Sequence, residues 1–92
     1  MHAVVVSVSI SGDADPQEVV THLRENIVPS VSQAPGFVSG YWVRLEGGDR
    51  GRAVIVFESE DAARTAAERI ASNVPEGVTF EGAEVREVVA SA

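Results

Sequence analysis

The chain has no cysteine and no lysine, and its aromatic residues are limited to one Trp, one Tyr and three Phe. The absence of cysteine excludes disulfides, thiolate metal sites and iron–sulfur clusters. No apolar run approaches the roughly 20 residues that a membrane-spanning helix needs. A basic segment followed by an apolar stretch, typical of an export signal, is also missing. We therefore expect a soluble cytoplasmic protein that does not associate with membranes.

The charge balance is strongly acidic. Fourteen Asp and Glu outnumber seven Arg, which gives a formal net charge of −7. An acidic chain repels a phosphate backbone, and the arginines are scattered along the sequence rather than clustered. Nucleic acid is therefore not expected as a partner.

The length of 92 residues and the hydrophobic content of 45% predict one globular domain over residues 1–92. A chain this short buries about 60% of the surface that its unfolded form exposes. Its stability as an isolated subunit is therefore expected to be modest.

The first third of the chain reads as a strand followed by a helix. Residues 3–10 (AVVVSVSI) are rich in β-branched residues, and their side chains alternate between two faces, which predicts a strand. Asp15 and Pro16 form a helix start, with Glu18 placed to complete a capping box. The helix would present one core-facing stripe and kink or end at Pro29. The stripe consists of Val19, Val20, Leu23 and Ile27.

The rest of the chain reads as a hairpin, a helix and a strand. The hairpin turns at Gly47-Gly48-Asp49, and Ser59 is placed to cap a helix over Glu60 to Ala71. That helix has a face of small residues formed by Ala62, Ala63, Ala66, Ala67 and Ile70. A last strand is expected from Val78 to Ala90, with a bulge at Gly82.

This βαββαβ order predicts an α+β, ferredoxin-like fold. With right-handed crossovers it forms a four-stranded antiparallel sheet that has two helices on one face. The strands are apolar on both faces, so the helix-free face would be an exposed apolar patch in a monomer. A second copy could cover this patch symmetrically, and we therefore expect a homodimer.

Several segments together resemble the dimeric α+β barrel proteins, in particular the antibiotic biosynthesis monooxygenase-like group. They are Pro35-Gly36-Phe37, the pair Tyr41-Trp42, the segment VIVFESEDAARTAAE and the terminal EVREVVAS. The resemblance implies two sheets packed into a barrel with the helices outside. Enzymes of this group include cofactor-independent oxygenases of aromatic polyketides, haem-degrading enzymes and small isomerases, and fold alone does not select among them.

For haem degradation, the family that this chain resembles implies a site with a His on the second helix and a Trp and an Asn in the pocket. The predicted second helix contains neither His nor Trp. His2 and His22 also lack a third ligand at metal-binding spacing. We therefore expect no metal and no cofactor.

His22 is the candidate general base, because imidazole titrates near neutral pH. It lies at the edge of the first helix's apolar stripe, and Asn26 follows one turn later as a candidate pocket residue. The alternative is a half-exposed boundary residue. This alternative is favoured, because no carboxylate or nucleophile stands at a spacing that would orient the imidazole.

Strand alternation places Trp42 and Arg44 on one face, and Tyr41 with Phe37 and Val43 on the other, so only one set can line a pocket. Either Tyr41 or Trp42 could form an aromatic wall for a flat ligand. Arg44 could then stabilise an enolate or carboxylate. Alternatively, the aromatic residues are core or interface anchors and Arg44 pairs with a carboxylate of Glu58, Glu84 or Glu87.

Two functions remain open. The first is binding of a small, mostly apolar or aromatic molecule, with cofactor-independent oxygenation as the activity that the resemblance implies, using His22 as base and Arg44 as anion partner. The second is a non-catalytic dimeric binding or regulatory module. In this second hypothesis the aromatic residues and Arg44 serve packing or regulation, and it predicts that no enclosed cavity exists between the helices and the sheet.

Overall fold

The computed structural model describes residues 1–92, and its elements follow the predicted order. The first helix is divided into α1, a π-helical turn and α2. None of the helices combines the length and apolar character needed to cross a membrane. The elements are β1 (His2–Ile10), α1 (Pro16–His22), the π-helical turn (Leu23–Ile27), α2 (Val28–Ser32), β2 (Phe37–Arg44), β3 (Arg50–Phe57), α3 (Glu60–Ser72) and β4 (Val78–Glu87).

The four strands form one antiparallel sheet in the order β2-β3-β1-β4. Val4 of β1 lies opposite Ile55 on one side and Val85 on the other, so the three side chains share one face. The ferredoxin-like α+β prediction is confirmed.

Both predicted helix starts are observed. The Asp15 carboxylate accepts a hydrogen bond from the Gln17 backbone N–H at 2.9 Å, and Pro16 follows in the first turn. The Ser59 hydroxyl accepts from the Ala62 N–H at 3.1 Å. Each cap satisfies one of the backbone donors that a helix start leaves unpaired. Glu18 lies in the first turn, but the capping box is not completed.

Of the two outcomes predicted at Pro29, a kink or an end of the first helix, the structure does not show an end. Helical backbone continues to Ser32, and Pro29 lies at the start of α2. The turn before it is π-helical, with the Val28 N–H donating to the Leu23 carbonyl. Because a π-turn widens the helix by one residue and a proline in the first turn needs no donor, the ring is accommodated without breaking the segment.

A bulge near the start of β2 corrects the predicted face of Phe37. The pairing register shifts between Phe37 and Ser39, so Phe37 lies opposite Phe57 while Trp42 lies opposite Ala53. The rings of Phe37 and Phe57 meet edge to face, with centroids 6.1 Å apart. Phe37 therefore shares the helix-covered face with Trp42 rather than the opposite face with Tyr41.

The last strand has the predicted bulge but is shorter than predicted. Ser7 pairs with Gly82 and Val8 with Phe80, so Glu81 is the extra residue. Gly82 has a φ of +157°, which glycine adopts without strain. The strand ends at Glu87 rather than at Ala90.

The core lies between α3 and the middle of the sheet. Val4, Val6, Ala53, Ile55 and Phe57 are buried there against α3, whose small residues at positions 63 and 66 are also buried. Alanine allows the helix backbone to approach the strands closely, and α3 packs on β1, β3 and β4. The first helical segment has no buried residue and packs on the sheet mainly through α2 and β2.

This asymmetry predicts different costs for two core-type substitutions. Ile55→Ala should lower the free energy of unfolding by about 2–5 kcal/mol, because it removes most of a side chain that is fully buried in the core. Leu23→Ala should cost only about 1 kcal/mol or less, since Leu23 is half-buried in the segment that stands off the sheet. Urea denaturation of both variants measures the difference. Equal costs would show that the first helix packs on the sheet in solution.

Candidate functional site

A cavity of about 740 Å³ lies between the first helical segment and the helix-covered face of the sheet. It exists because α1 and the π-helical turn do not pack closely on the strands. The predicted apolar stripe is confirmed as a continuous row, but it forms a wall of this cavity instead of a packed core. The main apolar lining residues are Val19, Val20, Leu23, Ile27 and Val31 from the helices, Val6, Val8, Trp42, Ile55 and Phe80 from the sheet, and Ile70, Val74 and Pro75 at the end of α3.

Trp42 and Phe80 are aromatic residues of the sheet wall, and Trp42 lies on β2. Its side chain is half-buried and packs against the edge of the core. A Cβ atom at Gly40 would lie 3.0 Å from Cζ3 of the indole, which is closer than van der Waals contact. Glycine at position 40 therefore makes room for the indole against the strand. Sequence alternation placed Gly40 beside Trp42 but gave no sign of this contact.

Arg44 lies on the same strand face, where β2 ends, and borders the cavity. The three ion pairs of the structure are Arg50–Glu81, Arg64–Glu60 and Arg86–Glu84. The alternative that Arg44 pairs with Glu58, Glu84 or Glu87 is therefore wrong. Its guanidinium is free to meet a ligand at the cavity edge.

Tyr41 faces the other way. It lies opposite Val54 on the helix-free face and is 72% exposed, and it borders the cavity only at the outer edge of β2. Of the two arrangements that strand alternation left open, the structure thus brings Trp42 and Arg44 to the cavity.

His22 and Asn26 lie outside the cavity. Both are exposed, and the Asn26 Nδ2 atom is 3.1 Å from His22 Nδ1. They border a shallow outer depression that contains no hydrophobic residue. Of the two interpretations of His22, the structure does not place the imidazole in the cavity, because successive helical residues differ by about 100° and Leu23, not His22, faces the sheet. Asn26 lies four residues later on the same outward side, as i and i+4 residues of a helix do.

The polar groups at the cavity are few. No His, Asp, Glu or Lys borders it; the residues with polar side chains that border it are Ser30, Tyr41, Asn73 and four arginines. The Asn73 amide donates to the Arg69 carbonyl at 2.8 Å and so ends α3. Such a lining can hold an apolar body and donate hydrogen bonds to an anion, but it offers no carboxylate or imidazole as a base.

Arg24 and Arg69 are two of the cavity-lining residues that sequence reasoning missed; Arg52 is a third. Arg24 and Arg69 each lie next to an apolar stripe residue, Leu23 and Ile70 respectively. In the sequence, the only indication that they border a cavity is their position at the edge of an apolar stripe. That position indicates a cavity only once the separation between the first helix and the sheet is known.

A model of the antibiotic biosynthesis monooxygenase family matches residues 1–73. The chain belongs to this family. No curated protein sequence matches it.

Solved structures with low sequence identity share the fold over nearly the whole chain. The heme-degrader MhuD from Mycobacterium tuberculosis, with two hemes in its active site, is 20% identical with a TM-score of 0.65, covering 100% of this chain and 99% of MhuD. SnoaB, a cofactor-independent oxygenase from Streptomyces nogalater solved as the mutant N63A, is 15% identical with a TM-score of 0.65, covering 98% and 95%. A dimeric ferredoxin-like protein from an uncultured marine organism is 12% identical with a TM-score of 0.68, covering 100% and 98%.

The residues at this cavity do not fit a haem whose iron is held by the protein. His, Cys and Met are all missing from the lining, and the Tyr41 side chain lies on the other face of the sheet. Axial ligation needs one of these groups. We therefore derive no chemical step through haem.

Proposed function

We propose that this chain is a homodimeric protein that binds a small, mostly apolar or aromatic molecule between its first helical segment and its sheet. The observation that carries the proposal is the cavity of about 740 Å³, two thirds of whose lining residues are hydrophobic. Small-molecule sites typically enclose about 300–1,000 Å³. Protein interiors otherwise contain few voids larger than a water molecule, so a ligand is the natural occupant.

The cavity counts against a non-catalytic module whose aromatic residues serve packing, because that hypothesis predicts no enclosed cavity. A non-catalytic binding or regulatory module remains the alternative to an enzyme. It is supported by the lining, which contains no imidazole or carboxylate to accept a proton.

Cofactor-independent oxygenation is the activity that the family suggests for this cavity. In such a reaction an electron-rich aromatic loses a proton, and its carbanion or enolate then reacts with O2. Arg44 is the proposed anion partner, because guanidinium groups stabilise an oxyanion through paired hydrogen bonds. A base role for His22 would require the first helical segment to move, since its imidazole lies outside the cavity.

A cytoplasmic location stays a prediction from the sequence.

Binding is tested with neutral anilinonaphthalene, whose fluorescence rises in an apolar site. Val20→Phe places a ring in the cavity and should weaken binding at least about tenfold, because even a modest contact loss of ~1.4 kcal/mol has that effect. Thr21→Phe is the matched control, since Thr21 is exposed and borders the outer depression. Equal affinity of both variants, or no binding by the unmodified protein, would contradict the proposed site.

Oxygenation is tested by oxygen uptake with hydroxylated polycyclic aromatic compounds. Arg44→Gln should lower the rate by about 10²-fold if the guanidinium stabilises the reacting anion. From the position of its side chain we expect His22→Ala to keep most of the rate. Arg64→Gln, which removes a distant arginine, is the control. If the unmodified protein consumes no oxygen, the proposed oxygenase activity is wrong and only the proposed ligand binding stands.

The proposed dimer interface is the helix-free face of the sheet. Its centre is apolar, and Tyr41, Val43 and Val54 are 72%, 52% and 39% exposed in the single subunit. Val5 and Val56 lie beside Val54 on this face. Contiguous exposed apolar surface of this kind usually marks an interface, and self-association covers it symmetrically.

Sedimentation velocity at micromolar concentration checks the dimer. We expect two subunits for the unmodified protein and one for Val54→Glu, since a buried unpaired carboxylate in the interface is unfavourable. Val89→Glu is the control, because Val89 is 87% exposed beyond the last strand. Circular dichroism establishes that Val54→Glu is folded; a folded Val54→Glu dimer would place the interface elsewhere.

A further inference from the structure

The seven arginines divide into two groups. Arg50, Arg64 and Arg86 each have a carboxylate partner, at 3.6, 2.7 and 3.4 Å. The others have no carboxylate oxygen within 4.0 Å. Every arginine of this second group borders the cavity, and none of the ion-paired group does. The second group consists of Arg24, Arg44, Arg52 and Arg69.

This division does not arise from a shortage of carboxylates. The chain has 14 Asp and Glu, yet none borders the cavity. Glu25 and Glu68 are the sequence neighbours of Arg24 and Arg69, but adjacent helical residues point in different directions. Glu25 borders the outer depression instead. The cavity edge is therefore positively charged in a protein whose net charge is −7.

Local structure accounts for only part of this pattern. Arg69 lies in the last turn of α3, where the helix dipole favours a cation. Arg52 lies opposite Ser7 and Val43, on the helix-free face, so it borders the cavity only at its edge. Arg24 and Arg44 have no such explanation. Together with Arg69 they add guanidinium groups from the π-turn, a strand and α3 to the lining of one cavity.

We propose that the ligand is an amphipathic anion, with a flat apolar body in the cavity and an ionised oxygen group at Arg24, Arg44 and Arg69. The inference rests on the proposed function, since it assigns the chemical class of the molecule held in that cavity. A guanidinium presents a planar fork of donors that matches an anionic oxygen group. Such a ligand supplies negative charge at the cavity, where no Asp or Glu side chain of the chain supplies it.

Two probes with the same apolar body test the proposal in the full-length protein: anilinonaphthalene sulfonate, and the neutral anilinonaphthalene that lacks the sulfonate. We expect the anionic probe to bind at least about tenfold more tightly. Its affinity should fall as salt rises from about 50 mM to about 500 mM, because salt screens exposed charges, while that of the neutral probe should not.

Charge variants identify the groups responsible. Arg24→Gln, Arg44→Gln and Arg69→Gln should each weaken the anionic probe by about threefold, the triple variant by more than about tenfold, and the neutral probe by less than about twofold. Arg64→Gln is the matched control: it removes the same charge from α3, but Arg64 is engaged by Glu60 and lies away from the cavity.

The outcomes separate the two proposals. Failure of the neutral probe to bind would overturn the proposed cavity function itself. Equal affinity for the two probes would overturn the anionic ligand while leaving the apolar site intact. If Arg64→Gln weakened the anionic probe as much as Arg69→Gln does, the effect would belong to net charge, and the assignment to the cavity edge would be wrong.

Discussion

The separation between the first helical segment and the sheet is the constraint on which the rest of this structure depends. Ala63 and Ala66 let α3 lie close to three strands, and almost the entire core forms there. The first segment carries branched residues such as Leu23 instead and stays half-buried. One helix therefore stabilises the sheet, while the other encloses space beside it. The division follows from side-chain size along two helices that otherwise occupy equivalent positions in the topology.

Much of the fold could be predicted because its signals are local. Asp15 and Ser59 cap helices through their own side chains, and the glycine turn between β2 and β3 requires positive φ angles. Period-two alternation located the strands, and right-handed crossovers then predicted one four-stranded antiparallel sheet with both helices on one face. The bulge at Gly82 was also predicted, because glycine in a strand signals a bulge.

The errors arose where one residue changes the phase of a pattern. The bulge after Phe37 has no glycine at that point, so alternation placed the ring on the wrong face. The π-turn adds a residue to a helix turn, which accommodates Pro29 and lets the helical segment continue to Ser32. Arg24 and Arg69 were missed for a different reason. They border the cavity without a carboxylate partner, and only the tertiary structure shows which Asp and Glu side chains lie within reach of each arginine.

Trp42 is the sole tryptophan of the chain, and it stands in the wall of the cavity against Gly40. The protein therefore carries an intrinsic optical reporter at the place where a ligand would lie. Indole emission responds to the polarity of its surroundings, and a cavity filled with water or with an aromatic body presents two different environments to the same ring. Occupancy can be followed in this way without labelling the protein or knowing what fills it.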